Sequence, residues 1–166
     1  DMARTASWLK TDAVIMTAIG ETPVHIEFFE SRKHLIEEKA GLIKTLKKDG
    51  LLVLNADDSA IIEMKSKSKN KVITYGFEGD IDVKANNLNI LYSDKNELMG
   101  TIYRLDTGGS SLPVMLEGVL GKNYVYASLA TLALSYGLKW SMIESINALK
   151  NYNVSGGRMC LLKGIN

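Results

Sequence analysis

Residues 13–19 read AVIMTAI and stop at Gly20. An apolar run this short fits a strand covered on both faces, which is the environment of a parallel sheet. Two further runs repeat the signal, LLVLN at 51–55 and KVITYGF at 71–77. Between the first two lies SRKHLIEEKAGLIKTLKKDG, whose pattern predicts a helix from Ser31 to just before Gly50. Leu35, Ile36, Ala40, Leu42, Ile43 and Leu46 recur at i, i+3, i+4 and i+7, the stripe of a helix packed on a core. After ADDS, the run AIIEMKSKS predicts a second helix, with Asp58 or Ser59 as its cap. Strand, helix, strand, helix and strand within about sixty residues is the rhythm of a doubly wound α/β sheet.

The middle of the chain changes character. IDVKA, NNLNILYS, MGTIYRL and LPVMLEGV are short, alternating and separated by Gly, Asn and Asp, so they predict a set of antiparallel strands. Two helices follow: NYVYASLATLALSY, closed by Gly137, and SMIESINALKNY, ending before NVSGGR. No linker divides the chain, so residues 1–166 are expected to form one domain with a single core, which 46% hydrophobic content permits.

Composition excludes several functions. A net charge of +1 gives no bulk attraction for nucleic acid or an anionic membrane. The basic stretch Lys65–Lys71 alternates with Ser and Asn and reads as a solvated helix end and loop. Cys160 is the only cysteine, so neither an internal disulfide nor a cysteine-based zinc site can form within the chain. His25 and His34 are the only imidazoles. No apolar run has the length of a membrane span and DMARTASWLK is not a signal peptide, so a reducing cytoplasm is the expected compartment. Both ends are expected to be cut points in a longer chain.

Lys39 is the candidate for chemistry, because it sits four residues after Leu35 and three before Leu42, inside the apolar stripe. An amine in apolar surroundings favours its neutral form. A neutral amine can attack as a nucleophile, form a Schiff base or take up CO2 as a carbamate. The alternative is a side chain that snorkels past its apolar neighbours to solvent. Ligands of an open parallel sheet bind beyond the carboxyl ends of the strands. Gly20–Glu30, with His25 and Glu27, and Asn55–Ser59, with Asp57 and Asp58, fall there. His25, a carboxylate and a modified lysine would make a hard, oxygen-rich site for Mg2+. The plainer readings are a loop histidine satisfied by backbone, and a helix cap beside a solvated turn residue.

Taken together, these parts resemble a known family. The run TAIGETPVHIEFFESRKHLIEEKAGLIKTLKKDGLLVLNADD resembles the central domain of the Mur ligases, and within them the branch that adds D-alanyl-D-alanine. The matching parts are His25 and Glu27 after a strand, Glu38-Lys39-Ala40 on a helix, and Asn55 to Asp58 on the next strand. The likeness resumes at EGVLGKNYVYASLATLALSYGL, similar to the family's adenine-side helix, and at SGGRM, similar to its junction with a C-terminal domain. It implies a P-loop NTPase-like, mostly parallel α/β sheet with an added antiparallel sheet. It also implies an ATP-dependent amide ligase that passes a phosphoryl group to a carboxylate and joins D-Ala-D-Ala to a UDP-MurNAc-peptide in cell-wall synthesis. ATP and Mg2+ would be the cofactors. His25 and Lys39, the latter carbamylated, would ligate the metal, and Asn123, Tyr124 and Arg158 would meet the nucleotide.

The sequence departs from the family where its nucleotide helix opens with Gly121, Lys122, Asn123 and Tyr124 in place of a Gly, a basic residue and a His. It also contains no Gly-x-x-x-x-Gly-Lys-Ser/Thr, and Gly108 and Gly109 read as a turn. The expectation is therefore an incomplete ATP-binding domain, without phosphate loop or flanking substrate domains. Sibling ligases of the folylpolyglutamate or cyanophycin type, and a binding domain that kept the fold without catalysis, remain as alternatives.

Overall fold

The computed structural model describes residues 6–21 and 26–152. The chain forms two compact units, Asp1–Ile81 and Asp82–Asn166. In the first, strands β1 (Thr11–Met16), β2 (Leu46–Asn55) and β3 (Lys71–Gly76) lie parallel, with β2 central. Ala13 pairs with Leu51 and Met16 with Leu54, and on the other side Leu51 pairs with Lys71 and Asn55 with Tyr75. Helix α1 (Arg32–Ala40) begins where Ser31 accepts a hydrogen bond from the His34 N–H at 3.1 Å. A short helix, α2 (Ser59–Ile62), follows β2 and continues as a 3-10 turn over Glu63–Lys67. One core joins these parts: Met16, Leu52 and Leu54 from the sheet meet Leu35 and Ala40 of α1 and Ala60, Ile61 and Met64 beyond β2.

The parallel order agrees with the sequence reading, but the element ends differ. The helix expected to reach Gly50 stops at Ala40, becomes a 3-10 turn over Gly41–Thr45, and gives way to β2 at Leu46. The apolar period misleads here because the tighter turn also aims Ile43 and Thr45 inward. Residues 47–50 then bulge out of β2, since Thr11 pairs with Leu46 but Ala13 pairs with Leu51. The bulge is pinned by one side chain. The Asn70 amide donates to the carbonyls of Lys47, Lys48 and Gly50 at 2.7, 3.1 and 3.1 Å. β1 is also shorter than 13–19 suggests, and Ile15 keeps 38% of its surface exposed, so this strand is not sealed on both faces.

In the second unit, β4 (Val83–Tyr92), β5 (Leu98–Thr107) and β6 (Ser110–Glu117) are antiparallel. IDVKA and NNLNILYS, expected as two strands, form one. The break between them is a bulge at Asn87, which adopts φ 50° and shifts the register between Asn86 and Asn89. Helix α3 (Lys122–Gly137) packs on β4, and Tyr103 on β5 shares a 2.8 Å hydrogen bond with Ser128 of the helix. Burial pushes the Tyr103 phenol well above its ordinary range, against the smaller opposing effect of the Ser128 bond. Helix α4 is Met142–Leu149, capped by Ser141.

Gly137, expected to close α3, lies inside it, and the left-handed residue is Lys139 at φ 60°. The Trp140 N–H reaches the Ser135 carbonyl at 2.9 Å and the Lys139 N–H the Tyr136 carbonyl at 3.0 Å, the paired closure of a Schellman end. A lysine there carries a Cβ penalty that glycine avoids. Lys139→Gly should therefore raise the unfolding free energy by about 1 kcal/mol in a urea titration. An unchanged or lower midpoint would mean that the lysine side chain contributes something beyond this geometry.

Candidate functional site

The carboxyl ends of β1, β2 and β3 are joined by three polar anchors, Asn55, Asp57 and Asp58, from the Asn55-Ala56-Asp57-Asp58 turn. Asn55 is 6% exposed; its amide donates to the Thr17 carbonyl at 2.8 Å, and its oxygen accepts from the Asp57 N–H at 3.1 Å. Asp57 turns toward β3 and accepts from the N–H groups of Phe77 and Glu78 at 2.7 and 3.2 Å. A Cβ on Gly76 would stand 2.7 Å from the Asp57 carboxylate, so only glycine admits this contact. Asp58 turns toward β1. One oxygen accepts from the N–H groups of Ile19 and Gly20 at 2.7 and 2.8 Å, and the other from Ala60 and Ile61 at 3.1 and 3.3 Å.

Burial raises the Asp58 carboxyl pKa, but the four backbone donors together outweigh it and hold the group below the ordinary aspartate value. Asp58 is thus the cap of α2, as expected, and also the acceptor that fastens the segment leaving β1 at Ile19 and Gly20. Asp57, weighed as a carboxylate of the metal site or as a solvated turn residue, anchors the start of the loop after β3. Sequence reasoning missed that role, although the isolated Gly76 inside a strand pattern was its signal.

From this edge α1 departs. The Arg32 guanidinium donates to the Gly20 carbonyl from Nε at 3.3 Å and from a terminal nitrogen at 3.0 Å. Lys39 stands in the last turn of α1, half-buried, about 10 Å along the axis from Arg32 at the ordinary helical rise. His25 lies outside the described residues, so its distance from Lys39 is not part of the geometry above.

The donor set can be tested for Mg2+. Among the described residues no three His, Cys, Asp or Glu side chains gather to hold a metal ion. Both Asp58 oxygens are engaged by N–H groups. Lys39 fits the chemistry only as a carbamate, which would turn a cation into the hard anionic oxygens that Mg2+ prefers.

In the second unit Asn123 and Tyr124 occupy the first turn of α3, Asn123 exposed and Tyr124 half-buried. No side chain among the described residues caps this helix at Gly121. The Tyr124 ring meets that of Tyr152 at 6.5 Å between centroids and a tilt of 56°, an aromatic corner that sequence reasoning did not find. The Lys122 ammonium lies 5.4 Å from the centre of the Tyr126 ring. Arg158 lies outside the described residues.

The sequence profile of the Mur ligase middle domain matches residues 1–135. The chain belongs to the Mur ligase middle-domain family. This Mur ligase domain is 28% identical over 147 residues to the UDP-N-acetylmuramate–L-alanine ligase of Hydrogenobaculum sp. (strain Y04AAS1), covering 88% of this chain and 31% of that protein. It is 27% identical over 137 residues to the UDP-N-acetylmuramoyl-L-alanyl-D-glutamate–2,6-diaminopimelate ligase of Listeria monocytogenes serotype 4b, covering 82% of this chain and 26% of that protein. Among solved structures it superposes on MurF from Acinetobacter baumannii with a TM-score of 0.82 at 20% identity, covering 98% of this chain and 34% of the other. It also superposes on MurF from Thermotoga maritima, solved with ADP, with a TM-score of 0.79 at 21% identity, covering 97% and 35%. These superpositions show the fold. The chain spans about a third of the length of the relatives it matches.

The double role of Asp58 gives a prediction with a definite sign. Asparagine offers one acceptor oxygen instead of two, so Asp58→Asn leaves one pair of N–H groups without a partner and should cost about 1–3 kcal/mol at pH 7. The native carboxyl titrates below its unfolded value of about 3.9, so its contribution is complete above that pH and is lost as pH falls through the depressed native value. Denaturant midpoints of wild type and variant should therefore differ most at neutral pH and converge in strong acid. A gap that widens on acidification would contradict the geometry.

Proposed function

We propose that this chain is the central, ATP-using part of a ligase that activates a carboxylate as an acyl phosphate and joins it to an amine in peptidoglycan precursor synthesis. The observation that carries the reading is a half-buried lysine, Lys39, placed on a helix fastened to the carboxyl edge of a parallel sheet in a Mur ligase domain. Lys39 reacts with CO2, loses a proton and becomes an anionic carbamate; with His25 it would hold Mg2+. When bound, Mg2+ would supply charge neutralisation of the phosphates. Asn123 would donate a hydrogen bond to adenine and Tyr124 would offer its ring as a stacking surface, with Arg158 as a further nucleotide contact.

We assign the amine as D-Ala-D-Ala and the carboxylate as that of a UDP-MurNAc-peptide. Support for this assignment is the superposition on a D-alanyl-D-alanyl ligase from Acinetobacter baumannii, at a TM-score of 0.81 over 99% of this chain. The sequence relatives named above, whose names specify L-alanine and 2,6-diaminopimelate, set the competing amines. An amine panel with the full-length protein decides among them. D-Ala-D-Ala should be the preferred acceptor, and preference for a single amino acid would overturn the assignment while leaving the ligase reading intact. Among the described residues no helix is long and apolar enough to cross a membrane.

The role of Lys39 separates from that of an ordinary surface lysine by substitution. In the full-length protein, Lys39→Ala and Lys39→Arg should each lower turnover by on the order of 100-fold, because neither side chain can become an anionic ligand facing the phosphates. A snorkelling lysine would tolerate arginine, so near-wild-type turnover in Lys39→Arg would remove Lys39 from the mechanism. The 166-residue chain by itself should not turn over ATP, since its sequence has no phosphate loop. Turnover by that chain would show that phosphates are held by other means.

A further inference from the structure

The charge of this chain is not spread evenly. Two lysine-rich runs, KTLKK at 44–48 and KSKNK at 67–71, meet at the amino edge of the parallel sheet. Lys47 and Lys48 ride on the bulge of β2, and Lys71 opens β3 beside Leu51. Asn70 fastens the two runs together, because its amide donates to the carbonyls of Lys47, Lys48 and Gly50. Lys44, Lys67 and Lys69 line one open groove of about 440 Å3. All six lysines are exposed. Asp12, Glu37 and Asp49 lie among them, but Asp12 pairs with Lys47 at 2.7 Å and Glu37 lies 4.0 Å from Lys33. Six ammonium groups against these three carboxylates leave a local excess larger than the +1 of the whole chain, so the rest of the sequence is net acidic. The low net charge that argues against bulk attraction to a membrane is thus a sum over two regions of opposite sign.

We propose that this lysine edge is a docking surface for an anionic phospholipid bilayer, bound at its headgroups without insertion of a helix. The composition of the edge selects that occupant. Residues 41–71 contain no Phe, Tyr, Trp or Arg. A single-stranded nucleic acid is held by rings on which its bases stack, and a tightly bound phosphate by the planar fork of arginine. Lysine offers instead a hydrated point charge on a flexible stem, which suits a diffuse layer of headgroups. Each lysine brought to such a surface strengthens binding by about fivefold, and the effect fades within a screening length of about 10 Å at 0.1 M salt. A bilayer at the amino ends of β2 and β3 leaves the Asn55–Asp58 turn clear, at the opposite end of the same strands. The binding requires no step of the ligase reaction, so it stands or falls apart from that reading.

The test floats the full-length protein with vesicles of mixed phosphatidylglycerol and phosphatidylcholine, or of phosphatidylcholine alone. One variant combines Lys44→Gln, Lys67→Gln and Lys69→Gln. A control combines Lys95→Gln, Lys139→Gln and Lys150→Gln, which removes the same charge from exposed positions elsewhere. Wild type should bind only the vesicles that contain phosphatidylglycerol, and should be released at about 1 M salt, where the screening length falls to about 3 Å. The edge variant should bind about 100-fold more weakly, while the control stays within about threefold of wild type. Should the edge variant not fold, Lys67→Gln alone should lose about fivefold, and wild-type binding in it would overturn the proposal. Equal binding to both kinds of vesicle, or equal losses in the two triple variants, would overturn it as well. Tighter binding of wild type to single-stranded polyuridine than to the vesicles would assign the edge to nucleic acid and overturn the bilayer.

Discussion

One carboxylate organises the first unit. Asp58 accepts two N–H groups from the segment that follows β1, 38 and 39 residues back along the chain, and two from the start of α2, so it links a strand exit to the helix that it caps. Hydrogen bonds to a charged acceptor are roughly twice as strong as neutral ones, and this group makes four. In the same turn, Asn55 holds the segment after β1 a second time, at the Thr17 carbonyl, and Asp57 holds the exit of β3. The carboxyl edge is therefore held as a set of fixed loop roots. Arg32 extends that set to α1, because it binds the residue that Asp58 already holds.

The parallel pairing was legible in the sequence because its cause is local: LLVLN is buried along its whole length, and a short apolar run bounded by turn residues fits a strand covered on both faces. The antiparallel strands were legible for the complementary reason, since their alternation follows the pleat. Helix ends were not. Residues 41–46 continue an apolar pattern of helical period, yet Leu46 begins a strand, because Asn70 offers the carbonyls of a β2 bulge an amide partner from twenty or more residues away. Asn87 and Lys139 mark the same limitation. Both adopt left-handed backbone at positions where the sequence shows no glycine, so composition suggests a strand break in one case and the wrong cap in the other.

At the site, the sequence nominated candidate residues but not their partners. Lys39 was singled out by its place in an apolar stripe, and the structure leaves it half-buried on α1. Asp58 was foreseen as a cap, because a cap needs only the residues that follow it. Its second pair of donors, the Arg32 contact and the pairing of Tyr124 with Tyr152 depend on chain returning from a distance, and no spacing rule encodes that. Family likeness fills part of this gap by implying roles for His25, Asn123 and Arg158, but it does not supply distances.

The central claim is that Lys39 works as an anion. The most direct measurement is carbon-13 NMR of the full-length protein equilibrated with labelled bicarbonate, with the amine carbamate signal followed in wild type and in Lys39→Arg. The account predicts one protected carbamate resonance that depends on Lys39 and sharpens when Mg2+ is added. Absence of that resonance in an enzyme that is fully active under the same conditions would contradict it.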